Sequence, residues 1–589
     1  MSLAPIDWFS IVAFFALSFV IGFVVLRRAG TSTAEFFLSG RSMPWWLLGV
    51  SMVATTFSAD TPNLVTDIVR QNGVAGNWVW WAFLLTGMLT VFVYAKLWRR
   101  SGVLTDLEFY EIRYSGRAAA FLRGFRALYL GVFFNVLIMA SVSLALVKFA
   151  GVILDVDPVV TLIVASVVTV SYSAMGGLRG VIVTDFFQFA IALFGAVAAA
   201  MVALNLPDVG GLDALLSHPL VSARTSFFPD INARDAWITI IVLPLAVQWW
   251  SVWYPGSEPG GGGYIAQRML SAKSEGGAVK AALFFNFAHY ALRPWPWIIV
   301  ALASLVVFPD LESLQAAFPN IGADVIGHDL AYPAMLTFLP AGLLGLVVAS
   351  LIAAFMSTIS THLNWGSSYI VHDFYRRFIR PDASEKQLVA VGRLSTIGLM
   401  VLSGGFALLL TNALQAFNIL LQVGAGTGLL FILRWFWWRI NPWSEIAAMV
   451  VSFIVAVVFA VLSQSGFELP SSSVQLLLGV GITTLAWIGV TLATPPSDED
   501  TLRKFCALIN AGGPGWRKYA TASTTGDGSG WSVPSGLMAM LAGSVSIYSL
   551  LFAIGLTIYG EVGSAFGMAL VAVGAAVVVV RLWPKLQIR

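Results

Sequence analysis

Apolar residues in this chain come in runs too long for strands, and they lack the polar stripe of a soluble helix. The pattern predicts helices surrounded by hydrocarbon or by one another. A bilayer core about 30 Å thick asks for about 20 apolar residues per helix. About fifteen spans meet that demand, over residues 6–26, 45–69, 78–97, 129–154, 159–173, 183–204, 237–254, 279–307, 335–374, 388–410, 413–435, 446–462, 474–493, 537–559 and 563–582. The first run has no basic leader or small-residue cleavage site and exceeds a signal-peptide core, so it reads as a retained helix.

Two spans break the pattern. In the second, Thr55, Thr56, Ser58, Asp60, Thr61 and Asn63 fall where oily helix should continue, and Pro62 disfavours helix at Thr61. In the seventh, the stretch WYPGSEPGGGGY over 253–264 cannot remain helical. An ordinary cytoplasmic loop after a complete helix is the other reading of that glycine run. The two breaks lie five spans apart. That is the arrangement of a transporter made of two five-helix halves of opposite topology, whose discontinuous helices expose carbonyls near the midplane. The predicted fold is an all-α polytopic membrane protein with an inverted-repeat core. One extra helix lies in 1–30, the repeats cover 45–204 and 236–440, and about four further helices occupy 441–589, with a cytoplasmic loop at 494–535.

Composition supports this reading: 58% of the 589 residues are hydrophobic and 11% charged, with a mean hydropathy of +0.83. Net charge is only +3, but the placement of Lys and Arg is informative, because cationic loops resist translocation. With residue 1 outside, the basic groups at 27–41, 99–117, 268–273, 376–386, 439, 503–518 and 581–589 all fall on the cytoplasmic side. Arg70, Lys148, Arg224 and Arg234 disagree. The single Cys506 excludes an internal disulfide and a cysteine metal cluster. No loop is long enough for a separate catalytic domain, and no nucleophile with base, paired carboxylates or phosphate loop is evident. The expectation is a non-enzyme without cofactor or transition metal, needing neither nucleic acid nor a protein partner.

The stretch AAFMSTISTHLNWGSSY, residues 353–369, carries six Ser and Thr hydroxyls within an oily span. A single hydroxyl in a membrane helix most often bonds back one turn or joins helices. Here, however, Ala354, Ser357, Thr358 and Thr361 recur at spacings of three and four and share a face. A dry face of hydroxyls without a carboxylate completes a shell for a small hard monovalent cation when another backbone donates carbonyls. The unwound second span is a source of such carbonyls.

These residues resemble the sodium:solute symporter family. The likeness runs through AEFFLSGRSMPWW (34–46), YSAMGGLRGVIVTDFFQ (172–188), QRMLSAKS (267–274) and AAFMSTIST (353–361) leading to HDFY (372–375), each on the expected element. It implies the inverted-repeat fold and a coupling sodium between the second and ninth spans, held by the carbonyls of Ala54, Phe57 and Ala354 and the hydroxyls of Ser357 and Thr358. A second sodium, found in some members, would take Asp185 with Ser360 and Thr361. Asp185 also reads as a helix N-cap at the membrane edge.

For the solute, the resemblance points to Thr61, Asn135, Trp253, His289 and Gln422. Sugar-transporting relatives share the amides of Asn135 and Gln422. They carry lysine at His289, glutamine at Thr61 and a glutamate missing from 78–81, so the solute is read only as a small polar organic molecule: a sugar, amino acid, carboxylate or similar. The implied function is sodium-driven import across the plasma (inner) membrane by alternating access, with the N-terminus outside and the C-terminus cytoplasmic. A proton-coupled transporter with His289 or Asp185 as carrier, and a transporter-like membrane sensor, are the alternatives.

Overall fold

The computed structural model describes residues 3–29, 32–56, 58–154, 156–251, 258–319, 321–322, 326–410, 424, 426–520 and 531–588. Among them, ten helices are long and apolar enough to cross a membrane, and three shorter apolar ones match the first, second and fifth expected spans. The seventh span is broken, and most of the eleventh lies outside the described residues.

In chain order, α1 (Pro5–Ala29) precedes the first broken pair, α2 (Trp45–Thr56) and α3 (Asp60–Asn72). Then come α4 (Val74–Ser101), α5 (Gly116–Leu154) and α6 (Pro158–Leu204). Gly177 divides α6 into two limbs: its φ of 53° is open to glycine, and a Cβ there would lie 2.8 Å from the Phe36 carbonyl. The second broken pair is α7 (residues 234–246) and α8 (Gly263–Leu270), followed by α9 (Glu275–Val307), α10 (Leu343–Ile379), α11 (Glu385–Ala407) and α12 (Gly428–Leu433). The tail comprises α13 (Pro442–Gln464), α14 (Ser472–Ala493), the short α15 (Glu499–Ile509) inside the predicted loop, α16 (Val533–Ile558) and α17 (Val562–Leu582).

Helix α10 is the hub, packed against α1, α2, α5, α6 and α11. Its most apolar window is 83% buried, against 22% for α17, so polar residues on α10 meet protein while α17 offers its face to lipid. Asp7 of α1 ties the hub down: its carboxylate accepts the Gly342 and Gly345 amides, each at 2.7 Å, at the start of α10. These are orphan donors of a helix N-terminus, and an anion there is stabilising.

Two boundaries differ from the pattern. The fourth span begins at Gly116, because its first turns carry Arg123 and Arg126, whose charges are buried in ion pairs and depress local hydropathy. The expected start of the ninth span belongs to a separate short helix, Ala331–Leu336, and a turn at Gly342 (φ 86°) precedes α10.

Candidate functional site

Helix α2 ends at Thr56 and the chain becomes helical again at Asp60. An interruption there deprives the last turn of α2 of its in-helix donors. Hydroxyls take three of the released carbonyls: Thr56 Oγ1 lies 2.9 Å from the Val53 oxygen, Thr358 Oγ1 donates to the Thr55 oxygen at 2.8 Å, and Thr61 Oγ1 reaches the Thr56 oxygen at 3.4 Å. The fourth carbonyl of that turn belongs to Ala54. Thr358 Oγ1 is also 3.1 Å from the Ala354 oxygen. Thus Ala54, Thr55, Ala354 and Thr358 gather where α2 meets α10, all at most 2% exposed. Phe57 lies outside the described residues.

Ser357 projects from the same face and donates to Asp185 Oδ1 at 2.6 Å, while Ser51 of α2 donates to Oδ2 at 2.5 Å. Asp185 is not a helix N-cap: it stands in the second limb of α6, fully buried. Arg268 of α8 completes this cluster, with Nη2 donating to Thr361 Oγ1 at 2.7 Å, Nε donating to Ser51 Oγ at 3.2 Å and Nη2 lying 3.8 Å from Asp185 Oδ2. The trio Asp185, Ser360 and Thr361 is therefore not one shell here. Arg268 stands between Asp185 and Thr361, and the Ser360 hydroxyl bonds back to the Ser357 carbonyl at 3.1 Å. The sequence counted Arg268 as a cytoplasmic loop charge; instead it is fully buried.

Beside this crevice lies a cavity of about 320 Å³ that runs from Thr55 and Thr56 past Asp60, Thr61, Trp80, Tyr264, His289 and Arg293 to Leu311, Gly327, His328 and Asp329. Of the residues expected to meet solute, Thr61 and His289 line it. Asn135 does not: its amide donates to the His362 carbonyl at 2.8 Å and its oxygen sits 2.6 Å from His362 Nδ1. Trp253 and Gln422 lie outside the described residues. Asp60, Arg293 and Trp80 also line the cavity, and of these only Asp60 was marked in the sequence, by the polarity of the second span.

A chain of polar groups joins cavity to crevice. Arg293 Nη2 lies 3.3 Å from His289 Nε2, and His289 Nδ1 lies 3.1 Å from Thr56 Oγ1, whose proton goes to the α2 carbonyls. Since a guanidinium only donates, Nε2 accepts and the proton sits on Nδ1, which makes the ring neutral. Elsewhere in the bundle, other buried charges are engaged with one another or with hydroxyls. Arg126 meets Glu258 at 2.5 Å, Arg434 lies 3.5 Å from Glu445, and Tyr369 donates to Asp106 at 2.5 Å.

Known proteins share this plan. The sodium/glucose cotransporter of Vibrio parahaemolyticus is 27% identical over 85% of this chain and 92% of its own. The sodium/myo-inositol cotransporter of Mus musculus is 26% identical over 83% and 73%. A solved sodium-coupled sialic acid symporter, captured outward-open, superposes with a TM-score of 0.66 at 20% identity, covering 84% of this chain and all of that one, which establishes the fold. The profile described as "SSF: Sodium:solute symporter family" matches residues 36–454, so this multi-pass membrane protein belongs to the sodium:solute symporter family.

Proposed function

We propose that this chain imports a small polar organic solute with sodium by alternating access. The observation that carries this reading is the bond from Thr358 to the freed Thr55 carbonyl, which puts hydroxyls of α10 against the broken end of α2. Carbonyls of Ala54, Phe57 and Ala354 with the hydroxyls of Ser357 and Thr358 form the sodium shell in this proposal. Donating its proton to Asp185 turns the Ser357 lone pairs toward the ion, so the carboxylate tunes the shell from behind. Sodium draws α2 and α10 together and favours the conformer that holds solute; its loss to a low-sodium cytoplasm reverses this.

The cavity reaches Leu311, Gly327, His328 and Asp329, in a stretch that the basic-residue pattern assigns to the outside. The arrangement is therefore read as outward-facing. The halves 45–204 and 236–440 move against each other, while 1–30 and 441–589 brace them. One sodium crossing about 150 mV supplies roughly 3.5 kcal/mol, and a tenfold gradient adds about 1.4. Hydroxylated solutes, as named for the relatives, start the search. In proteoliposomes, a panel of sugars, polyols, amino acids and carboxylates should include one accumulated only under an inward sodium gradient. Equal accumulation driven by a pH gradient without sodium would overturn the coupling assignment.

A further inference from the structure

Four aromatic rings stand in register on the outer face of α5. Phe121, Phe125, Tyr129 and Phe133 recur every four residues, their successive centroids 5.9, 5.3 and 6.5 Å apart and their planes inclined by 19°, 21° and 17°. Phe121, Phe125 and Phe133 are 58%, 41% and 54% exposed. From the helical rise the strip is about 18 Å long, close to the roughly 15 Å of hydrocarbon in one leaflet. Not every lipid-facing helix is built this way: α17 exposes Val, Leu and Met, and Phe566 is its only ring.

Cations gather at one end of the strip. Arg117 is exposed one turn before Phe121, and the end of α10 lies beside it, since a Cβ at Gly124 would come 2.6 Å from the Phe378 ring. Arg376 and Arg380, on either side of Phe378 in the chain, are exposed. The nearby carboxylates are already taken. Glu111 holds Arg377 at 2.9 Å and Arg123 at 2.6 Å, Arg123 also meets Asp373 at 2.6 Å and Glu108 at 3.4 Å, and Glu385 accepts the Thr33 amide at 2.8 Å. Exposed Asp382 and Lys386 offset each other in charge. Among the described residues Arg117, Arg376 and Arg380 make no ion pair, so the corner keeps an excess of positive charge.

Beside a bilayer, this arrangement discriminates. A soluble phosphate would use the arginines and leave the rings idle, and a zwitterionic lipid would bring its own cation to the arginines. An anionic phospholipid uses both features. Arginine forks match phosphate oxygens, and a stack of stiff rings gives an acyl chain continuous contact.

We propose that this corner binds an anionic phospholipid of the cytoplasmic leaflet, its phosphate at Arg117, Arg376 and Arg380 and one acyl chain along the ring strip. The leaflet follows from the basic-residue pattern, which assigns 99–117 and 376–386 to the cytoplasmic side. Because α5 belongs to the first repeat and α10 to the second, the bound lipid spans the two.

The experiment titrates the full-length, detergent-purified protein with dioleoyl phosphatidylglycerol and, separately, with dioleoyl phosphatidylcholine, which carries the same chains. Native mass spectrometry counts the bound lipid, and glycerol phosphate serves as the soluble competitor. We expect phosphatidylglycerol to bind at least about tenfold tighter than phosphatidylcholine and to resist displacement by glycerol phosphate. Arg117→Gln, Arg376→Gln and Arg380→Gln together should abolish the preference, and Phe121→Leu with Phe125→Leu should weaken phosphatidylglycerol by about threefold. Lys273→Gln with Lys280→Gln, which removes two exposed cations elsewhere on the chain, should leave both lipids unaffected. Equal affinity for the two lipids overturns the proposal on the unmodified protein. So does a loss of preference in the lysine variant as large as in the arginine variant, the mark of a diffuse charge effect. Displacement by glycerol phosphate, with no weakening in the ring variant, would leave only a phosphate site and overturn it as well.

Discussion

The crevice between α2 and α10 and the cavity beside it both include Thr56 or its neighbours, yet they are built in opposite ways. In the crevice, hydroxyls and charges from α2, α6, α8 and α10 meet one another at 2.5–3.2 Å with almost no exposure. In the cavity, Asp60 and Thr61 are partly exposed and the facing charges stand apart. A buried polar network fixes geometry when every member is satisfied. A wide space between polar walls leaves room for a ligand with several polar groups of its own. The first region suits a small ion whose shell must be preset, and the second suits a solute with several groups.

The strongest test of the contrast removes the crevice's own oxygens. Ser357→Ala with Thr358→Ala should weaken sodium binding by at least about 100-fold, equivalent to roughly 2.7 kcal/mol, and abolish sodium stimulation of uptake. Sodium binding at the parental level in that variant would mean that the ion sits elsewhere. Next comes Asp185→Asn, which leaves the Arg268 guanidinium fully buried without its carboxylate. Breaking one side of a buried pair costs about 3–5 kcal/mol. The full cost should appear as a fall in thermal midpoint of the detergent-solubilised protein, whatever sodium does. Adding Arg268→Gln should restore part of that midpoint; a double variant no better than the single would show that the pair is not the cause.

A subtler change separates the two regions. Thr56→Val removes the hydroxyl that accepts from His289 and leaves the Thr358–Thr55 bond in place. A buried donor left without its acceptor costs about 1–3 kcal/mol. The half-saturation for solute should rise about tenfold, while sodium binding in the absence of solute stays within about twofold. An equal loss of both would show that crevice and cavity are one site, and the comparison would fail.

How much of this was legible in sequence follows the range of each interaction. The first helix break is written locally in a polar run, although Pro62 does not mark it: Thr61 and Pro62 are already helical in the first turn of α3, where proline is tolerated. The second is written in the glycine run, and the hydroxyl face of α10 in a spacing of three and four. The roles of Arg268 and Arg70 were not legible, because a cationic residue near a span end looks like a loop charge until its partners are known. Arg70, one of the residues that disagreed with the orientation pattern, is buried and donates to the carbonyls of Ser304 at 2.9 Å and Phe308 at 2.7 Å, both on distant sequence. Lys148, another, meets Asp329 at 2.8 Å. Both are fold-internal partners rather than charges that steer insertion. Asn135 misled for a related reason: an amide facing into the bundle satisfies a backbone carbonyl and a histidine as readily as a sugar.

The smallest expected effect reaches the crevice from its far end. Asp7 lies on the extra first helix, distant from both regions, and holds the amides of Gly342 and Gly345 at the start of α10. Asp7→Asn keeps the shape but removes the charge that complements the helix N-terminus, at a cost of about 0.5–2 kcal/mol. If α1 only braces the hub, the thermal midpoint should fall by a few degrees, while sodium binding and solute half-saturation stay unchanged. A loss of sodium affinity would show instead that the position of α10 is set from its end. The crevice would then not be preset by its own network, and its contrast with the cavity would be one of degree. Gly345→Ala at the same junction provides the steric counterpart, because a Cβ there would lie 2.2 Å from the Asp7 Cα and force α1 away from α10. A matching drop in midpoint with intact sodium binding in both variants would place α1 outside the coupling machinery.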